Sequence, residues 1–347
     1  MTPQALPNYP LKLEPIYKEK VWGGRTLETL GRKLPGGPQT RIGESWELAD
    51  LGQTSVSGGG GGAERSRIAN GPLAGQTLHD VMHRHRRELM GDLAPNERGE
   101  FPLLLKFLDA QENLSVQVHP SPAYAAMHPD AFLKSEAWYI VQARPGAVIY
   151  KGVREGVTPE RFRQAIEQND LEPLLIKVEV KPGQCHYLPS GTCHALGGGV
   201  LVAEVQTPSD TTFRVYDWGR QGRELHIEQA MQSIRFGPPD VRSNERPAII
   251  SNDGLTFTRL VVCEHFHVDR LEASAGYTQE LTADEPVIWM TLSGRATIHC
   301  QAVDATVLGP GETVYLPPAM RQGRLSVQED FTCLEITFPQ AQPLRIA

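Results

Sequence analysis

The chain has 347 residues, more than one typical domain, so two lobes are expected. It contains 33 Gly and 27 Pro, a composition that favours many turns and short strands over long helices. The formal net charge is −7 and the basic residues form no run, which argues against a nucleic-acid-binding surface.

The sequence carries no sign of export or membrane insertion. Its first ten residues lack the charged and apolar regions of a secretory signal, and no apolar run is long enough to span a membrane. The five cysteines are odd in number and widely spread, at positions 185, 193, 263, 300 and 333. This pattern fits reduced thiols better than a disulfide framework, so we expect a cytoplasmic protein.

The amino-terminal third predicts a glycine turn, a strand and a helix. Val21 to Arg25 places a Gly-Gly turn beside Trp22, and residues 42–50 alternate as a strand does. The glycine run at 58–62 lacks the Gly-Lys-Ser/Thr of a phosphate loop, so we predict a flexible hairpin tip. Thr77 to Met90 has the apolar spacing of a helix.

The middle of the chain predicts mostly strands, with two more helices. One helix begins after Thr158, a hydroxyl N-cap followed by Pro159, and the apolar spacing of Glu224 to Arg235 predicts the other. Strands are predicted within 101–118, around a turn at 109–113, and at 137–141, 175–181, 184–188, 200–206 and 212–217. A polar, Pro-rich connection near 237–247 divides a first lobe, residues 1–240, from a second lobe of short strands, residues 241–347.

Candidate metal ligands are concentrated between residues 114 and 194. Leu114 to His119 alternates strictly between apolar and polar residues, so one face of this strand builds core and the other is polar. Gln117, His119, Glu136 and His194 together offer one amide oxygen, two imidazoles and one carboxylate. That set suits a borderline-soft divalent metal with one position left open for water or substrate.

A short pattern recurs in the second lobe. Pro182-Gly183 followed by Tyr187-Leu188-Pro189 has a counterpart in Pro310-Gly311 followed by Tyr315-Leu316-Pro317. The second copy has Gln322 where the first has His194. We therefore predict a duplicated supersecondary unit whose second copy lacks its metal ligand.

Several motifs, taken in order, resemble one enzyme family. The spacing Gly183-x5-Pro189-x-Gly191-x2-His194 looks like the second cupin motif, and Gln117-x-His119 followed by Glu136 resembles the first, with Gln in place of its first His. The chain also carries Val21-Trp-Gly-Gly-Arg25, Gly43-Glu-Ser-Trp46, Pro102-Leu-Leu-Leu-Lys106, Ser115-Val-Gln-Val-His-Pro120, Lys134-Ser-Glu-Ala-Trp-Tyr139 and Phe213-Arg-Val-Tyr-Asp-Trp218. Together these resemble type I mannose-6-phosphate isomerase in its short bacterial form, over nearly all of residues 10–236.

The resemblance implies a mainly β fold of two cupin-type, double-stranded β-helix (jelly-roll) barrels with a few peripheral helices. Residues 1–240 would form the metal-binding catalytic lobe, and residues 241–347 a cupin-like lobe without metal ligands. The implied activity is the interconversion of mannose 6-phosphate and fructose 6-phosphate through an enediol, with one zinc per chain. The expected partner is a small sugar phosphate, with no nucleic acid or membrane, and the chain would be a monomer or homodimer.

The resemblance also assigns roles to individual residues. It gives metal binding to His119, Glu136 and His194, with Gln117 as the fourth ligand of the longer family members. It gives catalysis to Arg214, whose guanidinium could stabilise enediolate charge.

Two candidates for proton transfer stay open at this point. They are Glu204, which could instead only orient Arg214, and Lys134, whose pKa a nearby metal could lower. Ser115, Lys134 and Trp22 are the candidate substrate contacts.

Other His and Cys pairs could imitate a metal site. His79 and His83 lie one helical turn apart, but no carboxylate and third ligand follow them. Cys185-His186 and Cys193-His194 are adjacent residues that face opposite sides of a strand. His265 and His267 lack a matching Pro-x-Gly-x2-His, so we favour a strand surface there.

Two other functions compete with the isomerase. A cupin oxygenase would hold iron at the same ligands but would need a mostly apolar O2 site, whereas Lys134, Glu204 and Arg214 suit an anionic sugar. A non-catalytic sugar or sugar-phosphate sensor would have lost its metal ligands in both lobes. The sequence shows no clear phosphate cradle, so a free aldose or another sugar phosphate also stays open.

Overall fold

The computed structural model describes residues 5–55, 61–237, 248–282 and 284–339. Antiparallel sheets dominate this part of the chain, so the mainly β class is confirmed. Within the same ranges, every helix is too short or too polar to cross a membrane. Most of the predicted hairpin tip at 58–62 and of the predicted lobe boundary at 237–247 lies outside the described residues.

The strands and helices follow one another in short segments. Up to residue 237 the strands are β1 (Leu11–Lys12), β2 (Ile16–Gly24), β3 (Ile42–Leu48), β4 (Asp50–Leu51), β5 (Glu64–Arg65), β6 (Leu104–Ala110), β7 (Val116–Val118), β8 (Glu136–Ala143), β9 (Val148–Val153), β10 (Leu175–Glu179), β11 (Cys185–Leu188), β12 (His194–Leu196), β13 (Val200–Gln206) and β14 (Phe213–Tyr216). From residue 248 they are β15 (Ala248–Asn252), β16 (Leu255–Val262), β17 (His267–Ala273), β18 (Thr278–Leu281), β19 (Val287–His299), β20 (Thr306–Leu308), β21 (Thr313–Leu316) and β22 (Gly323–Thr337). The α-helices are α1 (Leu78–Arg84), α2 (Arg86–Met90), α3 (Pro122–Met127), α4 (Pro159–Glu167) and α5 (Ile227–Ser233), and the 3-10 helices are Thr26–Leu30, Gly71–Leu73 and Glu172–Leu174.

The helix predictions are correct in place and too long in two cases. Thr158 caps α4 by accepting a hydrogen bond from the backbone N–H of Arg161, as its residue type predicts. The helix predicted at Thr77–Met90 is two helices, because His85 adopts φ −133° and ψ 47° between them. The helix predicted from Glu224 begins only at Ile227.

Two sheets of the amino-terminal part pack against each other and hold the polar residues discussed below. One sheet has the order β11-β8-β13-β6-β3-β2, and the other has the order β10-β9-β12-β7-β14. Apolar side chains of both sheets share one buried cluster, which includes Trp138, Val202, Ile149 and Leu196. The two sheets therefore fix the relative positions of side chains from strands far apart in sequence.

The third large sheet contains the carboxyl-terminal strands and one strand from the other end of the chain. Its order is β1-β21-β19-β22-β17-β16-β15, with β18 paired to β22 and β20 paired to β19. β1 pairs with β21 through the register Leu11 to Tyr315. The first strand thus lies in the sheet of the predicted second lobe, while the division at residue 240 and the two-barrel arrangement stay predictions.

Candidate active site

Three predicted site residues form one row across the five-stranded sheet. Gln117 on β7 pairs with His194 on β12 at one side and with Arg214 on β14 at the other. Side chains in register on neighbouring strands point to the same face of a sheet. The strand alternation therefore brings a candidate metal ligand and the candidate catalytic arginine to the same surface.

His119, Glu136 and His194 come together as a buried cluster. Their ligand atoms all lie within 4.8 Å of one another, and each residue is at most 1 % exposed. Glu136 Oε1 lies 3.0 Å from His194 Nε2, and Glu136 Oε2 lies 3.5 Å from His119 Nε2. The amide nitrogen of Gln117 lies 3.4 Å from His194 Nε2, so this side chain also reaches the cluster.

Backbone carbonyls fix the orientation of both imidazoles. His119 Nδ1 lies 2.8 Å from the carbonyl of Thr211, and His194 Nδ1 lies 2.8 Å from the carbonyl of Thr192. A carbonyl only accepts, so each ring carries its proton on Nδ1 and turns the lone pair of Nε2 toward Glu136. Burial, followed by the nearby Lys134 ammonium, lowers the pKa of His119 to about 3, which keeps this ring neutral.

The donor set of this cluster fits a divalent metal. Both carboxylate oxygens of Glu136 are buried and accept no well-aligned hydrogen bond from the described residues, although Lys134 Nζ lies 2.7 Å from Oε2. Two neutral imidazoles and one carboxylate are ligands that zinc accepts. Lys134 Nζ also lies 3.3 Å from His119 Nε2.

Two carboxylates surround Lys134 and favour its charged form. Burial favours the neutral amine, but the Glu136 and Glu204 carboxylates outweigh it and raise the pKa of Lys134. The effect of a bound metal on this pKa, which the sequence suggested, stays a prediction. The side chain is a charged hydrogen-bond donor inside the pocket.

Gln117 and Lys134, which both contact the cluster, also line a pocket that holds the remaining candidates. Trp22, Ser115, Gln117, Lys134, Glu204 and Arg214 line it. Arg214 donates from Nε to Ser115 Oγ at 3.2 Å and from Nη1 to the carbonyl of Glu224 at 2.8 Å. These two contacts hold the guanidinium in place, and burial followed by nearby Arg223 lowers its pKa from the ordinary value.

Glu204 has partners other than the expected Arg214. Trp138 Nε1 donates to its Oε2 at 2.8 Å, and Lys106 Nζ lies 3.4 Å from its Oε1. Lys106 and Glu204 are directly opposed on β6 and β13. Oε1 is buried and accepts no well-aligned hydrogen bond within the described part of the chain, so the Lys106 ammonium is its charged neighbour.

Sequence reasoning missed a second charged group on the six-stranded sheet. Lys20 Nζ lies 3.0 Å from Glu44 Oε1, and Lys106 Nζ lies 4.0 Å from Glu44 Oε2. Trp46 Nε1 donates to that same Oε2 at 2.7 Å. Burial raises the pKa of Glu44, but the two lysines outweigh it and lower the pKa to about 2, so Glu44 stays anionic. The sequence signal that could have revealed this group is Lys106, a charged residue in β6, whose seven residues are all buried.

Positive charge in the pocket comes from several separate elements. Arg223 lines it and is held by Asp217, whose Oδ2 lies 2.7 Å from Arg223 Nε. With Lys20, Lys106, Lys134 and Arg214, five cationic side chains of the described chain line one pocket. No short motif contains them together, so the sequence did not reveal this concentration of positive charge.

The other His and Cys pairs noted in the sequence contribute no further residue to the cluster of His119, Glu136 and His194. Among the described residues, the grouping of His, Cys, Asp or Glu that could hold a metal is His119, Glu136 and His194. Nδ1 of His79, on α1, instead lies 2.9 Å from Oδ1 of Asp50, on β4. Cys193 is fully buried in an apolar cluster, where burial raises the pKa of its thiol to about 12.

Known proteins are similar to this chain in sequence and in fold. Residues 11–139 match the family described as phosphomannose isomerase type I, catalytic domain. The chain is 36% identical to mannose-6-phosphate isomerase of Streptococcus mutans over 319 residues, which are 90% of this chain and 93% of that protein. It is 37% identical to mannose-6-phosphate isomerase ManA of Bacillus subtilis over 78% of this chain and 82% of that protein.

A solved structure gives the same result. The crystal structure of mannose 6-phosphate isomerase from Bacillus subtilis superposes with a TM-score of 0.82 and 31% identity, covering 95% of this chain and 99% of that one. The match extends over both the amino-terminal sheets and the carboxyl-terminal sheet. The chain therefore belongs to the type I phosphomannose isomerase family.

Proposed function

We propose that this protein interconverts mannose 6-phosphate and fructose 6-phosphate through an enediol, with one divalent metal bound by the chain. The observation that carries the proposal is the buried His119, Glu136 and His194 cluster at a pocket lined by five cationic side chains. Such a pocket suits an anionic sugar whose adjacent oxygens need positive charge. The substrate named for the Streptococcus mutans and Bacillus subtilis relatives agrees with it.

The metal would be held by His119, Glu136 and His194, with Gln117 as a fourth donor. Zinc fits two imidazoles and a carboxylate, and when bound it would polarise the sugar oxygens as a Lewis acid. The carbonyls of Thr211 and Thr192 support this role because they hold both Nε2 atoms toward Glu136.

The chain's own residues would handle the charge and the protons. An enediol forms when a proton leaves C2 of the aldose, and negative charge then grows on the neighbouring oxygens. Arg214, fixed by Ser115, would stabilise that charge. Lys134 would donate a hydrogen bond or proton to a sugar oxygen.

Glu204 is the better of the two candidates for the carbon base. Glu204 lines the pocket, and Trp138 holds its Oε2, while Oε1 has only the Lys106 ammonium at 3.4 Å and accepts no well-aligned hydrogen bond from the described residues. A positioned carboxylate of this kind can remove a proton from a carbon next to a carbonyl. A lysine needs to be neutral for the same task, and the carboxylates around Lys134 raise its pKa.

Lys20, Lys106 and Arg223 supply positive charge beyond the reacting atoms. We assign recognition of the phosphate to this group, because its three cationic side chains line the pocket and Asp217 fixes the position of the Arg223 guanidinium. This assignment favours a phosphorylated sugar over the free aldose that the sequence left open.

The competing functions fit the pocket less well. An oxygenase would need a mostly apolar space for O2, whereas charged side chains line this pocket. A sensor without catalysis would have no need of the oriented imidazoles of His119 and His194. The cytoplasmic location and the monomeric or homodimeric state stay predictions.

One assay tests the proposal. The purified protein is analysed for bound metal by mass spectrometry, and conversion of mannose 6-phosphate is followed with and without a chelator. We expect turnover that the chelator removes and added zinc restores, with mannose itself a poor substrate. Full turnover in a metal-free sample would contradict the metal assignment, and no turnover in the metal-loaded protein would contradict the isomerase itself.

A further inference from the structure

Asp210 lies at the rim of the pocket and is 8 % exposed. Its Oδ1 accepts a hydrogen bond from the backbone N–H of Ser55 at 2.9 Å. Its Oδ2 accepts from Thr54 Oγ1 at 2.6 Å and from the backbone N–H of Gly61 at 3.0 Å. One carboxylate therefore ties Thr54 and Ser55 to Gly61 of the glycine run.

Gly61 forms part of the pocket wall and lies directly against Trp46. A Cβ atom built on Gly61 would lie 2.7 Å from Cζ2 of Trp46, closer than real Cβ contacts come. Trp46 is fully buried, and the ammonium of Lys106 lies 5.0 Å from the centre of its ring. Any shift of Gly61 therefore changes the pocket next to one of its cations.

The neighbour of Asp210 has a different contact. The carbonyl of Thr211 accepts from His119 Nδ1 at 2.8 Å, and its hydroxyl donates to Ser55 Oγ at 2.9 Å. The metal cluster is thus oriented by the backbone of residue 211, whereas the wall at Gly61 is held by the side chain of residue 210. A substitution of the Asp210 side chain therefore keeps the backbone carbonyl of Thr211 that His119 contacts.

The carboxylate of Asp210 has little capacity left for substrate. It accepts three hydrogen bonds, and a carboxylate offers about four lone-pair sites. A direct contact with a sugar hydroxyl would compete with these bonds. An effect on the position of the wall is the better-supported role.

We propose that Asp210 is a positioning residue that sets the affinity for the sugar phosphate by holding Gly61 against Trp46. This inference rests on the proposed function, because the sugar phosphate is the ligand to be measured. Because Asp210 would act on binding, its substitution should change KM and Kd without changing turnover or metal content.

Asp210→Asn is the informative variant. Asn keeps one oxygen, which can still accept from Ser55, but its amide then places a donor against the N–H of Gly61. We expect KM and the calorimetric Kd for mannose 6-phosphate to rise about tenfold, the effect of losing one well-placed contact. We expect kcat within about twofold of wild type and unchanged metal content. Gly61→Ala should raise KM in the same direction, because its methyl group meets Trp46.

Asp50→Asn is the matched control. Asp50 is a buried carboxylate that accepts from the backbone N–H of Phe101 at 2.9 Å and does not line the pocket. It should lower the melting temperature without changing KM. If Asp210→Asn melts too early to assay, Gly61→Ala decides the question.

Two outcomes would overturn the inference. One is unchanged KM and Kd in both pocket variants, and the other is a fall in kcat and metal content at constant KM, which would mean that Asp210 acts through His119. A wild-type protein that binds mannose 6-phosphate without isomerising it would contradict the proposed function alone. The Kd comparison would then still decide the role of Asp210.

Discussion

Trp289 Nε1 donates a hydrogen bond of 2.9 Å to Glu335 Oε2 inside the carboxyl-terminal sheet. The two residues are directly opposed on β19 and β22, as Trp138 and Glu204 are on β8 and β13. On the other side of each Trp-bearing strand lies the strand that carries the repeated Tyr-Leu-Pro pattern. This equivalence supports the predicted duplicated unit.

The two copies differ in what surrounds the pair. In the first copy Glu204 faces Lys106 and the pocket, whereas in the second Glu335 is opposed on β17 by Asp269. By the same register, Val287 in the second copy takes the place of Glu136 in the first, because both pair with the Leu of the repeat. The Trp–Glu bond is therefore part of the sheet, and the chemistry depends on its neighbours.

Glu335 should make stability depend on pH. Burial raises its pKa to about 7, the Trp289 hydrogen bond opposes the shift and Asp269 adds to it. A raised pKa means that the folded state disfavours the ionised carboxylate. The free energy of unfolding is therefore highest below pH 4.5, where Glu335 is protonated in both states, and it decreases as the pH rises toward 7. The loss should be about 3 kcal/mol. Urea unfolding of wild type and Glu335→Gln at pH 5 and 8 should show a smaller decrease in the variant; equal decreases would contradict the assignment.

Removal of either imidazole should remove the metal. His119→Ala and His194→Ala should each lose bound metal and turnover together, because two of the proposed ligands are these Nε2 atoms. His83→Ala on the exposed face of α1 is the control and should keep both. Mass spectrometry of the purified variants gives the metal content. Metal retained at wild-type stoichiometry in both site variants would show that the cluster is not the metal site.

Loss of the Arg214 guanidinium should separate metal binding from catalysis. Arg214→Ala should keep its metal and lower kcat/KM by about 10²- to 10³-fold, the usual effect of removing one donor to a developing oxyanion. Arg214→Lys should recover little, since a lysine lacks the planar fork that contacts Ser115 and Glu224. Arg163→Ala, which breaks an exposed ion pair with Glu228, is the control. Normal turnover in Arg214→Ala would exclude this arginine from catalysis.

Glu204→Gln tests the carbon base. The amide keeps an oxygen for the Trp138 hydrogen bond but cannot take a proton, so we expect kcat to fall about 10²- to 10⁴-fold with little change in melting temperature. Glu335→Gln makes the same change to the equivalent pair and should leave kcat within about twofold of wild type. If Glu204→Gln turns over normally and Lys134→Met does not, Lys134 takes the role of the base.

Local patterns in the sequence were sufficient for much of the fold and for the cluster of His119, Glu136 and His194. Strand alternation placed β13 at residues 200–206 with correct bounds, and the Thr158 cap and Pro159 placed the start of α4. The spacing of His119 and His194 marked both imidazoles, because cupin-like turns bring such positions together. Each of these signals lies within a short stretch of sequence, so it can be identified without the tertiary structure.

Only the tertiary structure decided which strands lie side by side. β1 pairs with β21 some three hundred residues later, and Lys106 meets Glu204 across two strands that no local pattern connects. β6 is buried along its whole length, so alternation could not identify its pocket face. The hydrogen bond from the backbone N–H of Gly61 to Asp210 likewise joins residues far apart in the sequence. Cross-strand register follows from the packing of whole sheets, which is why the sequence alone does not fix it.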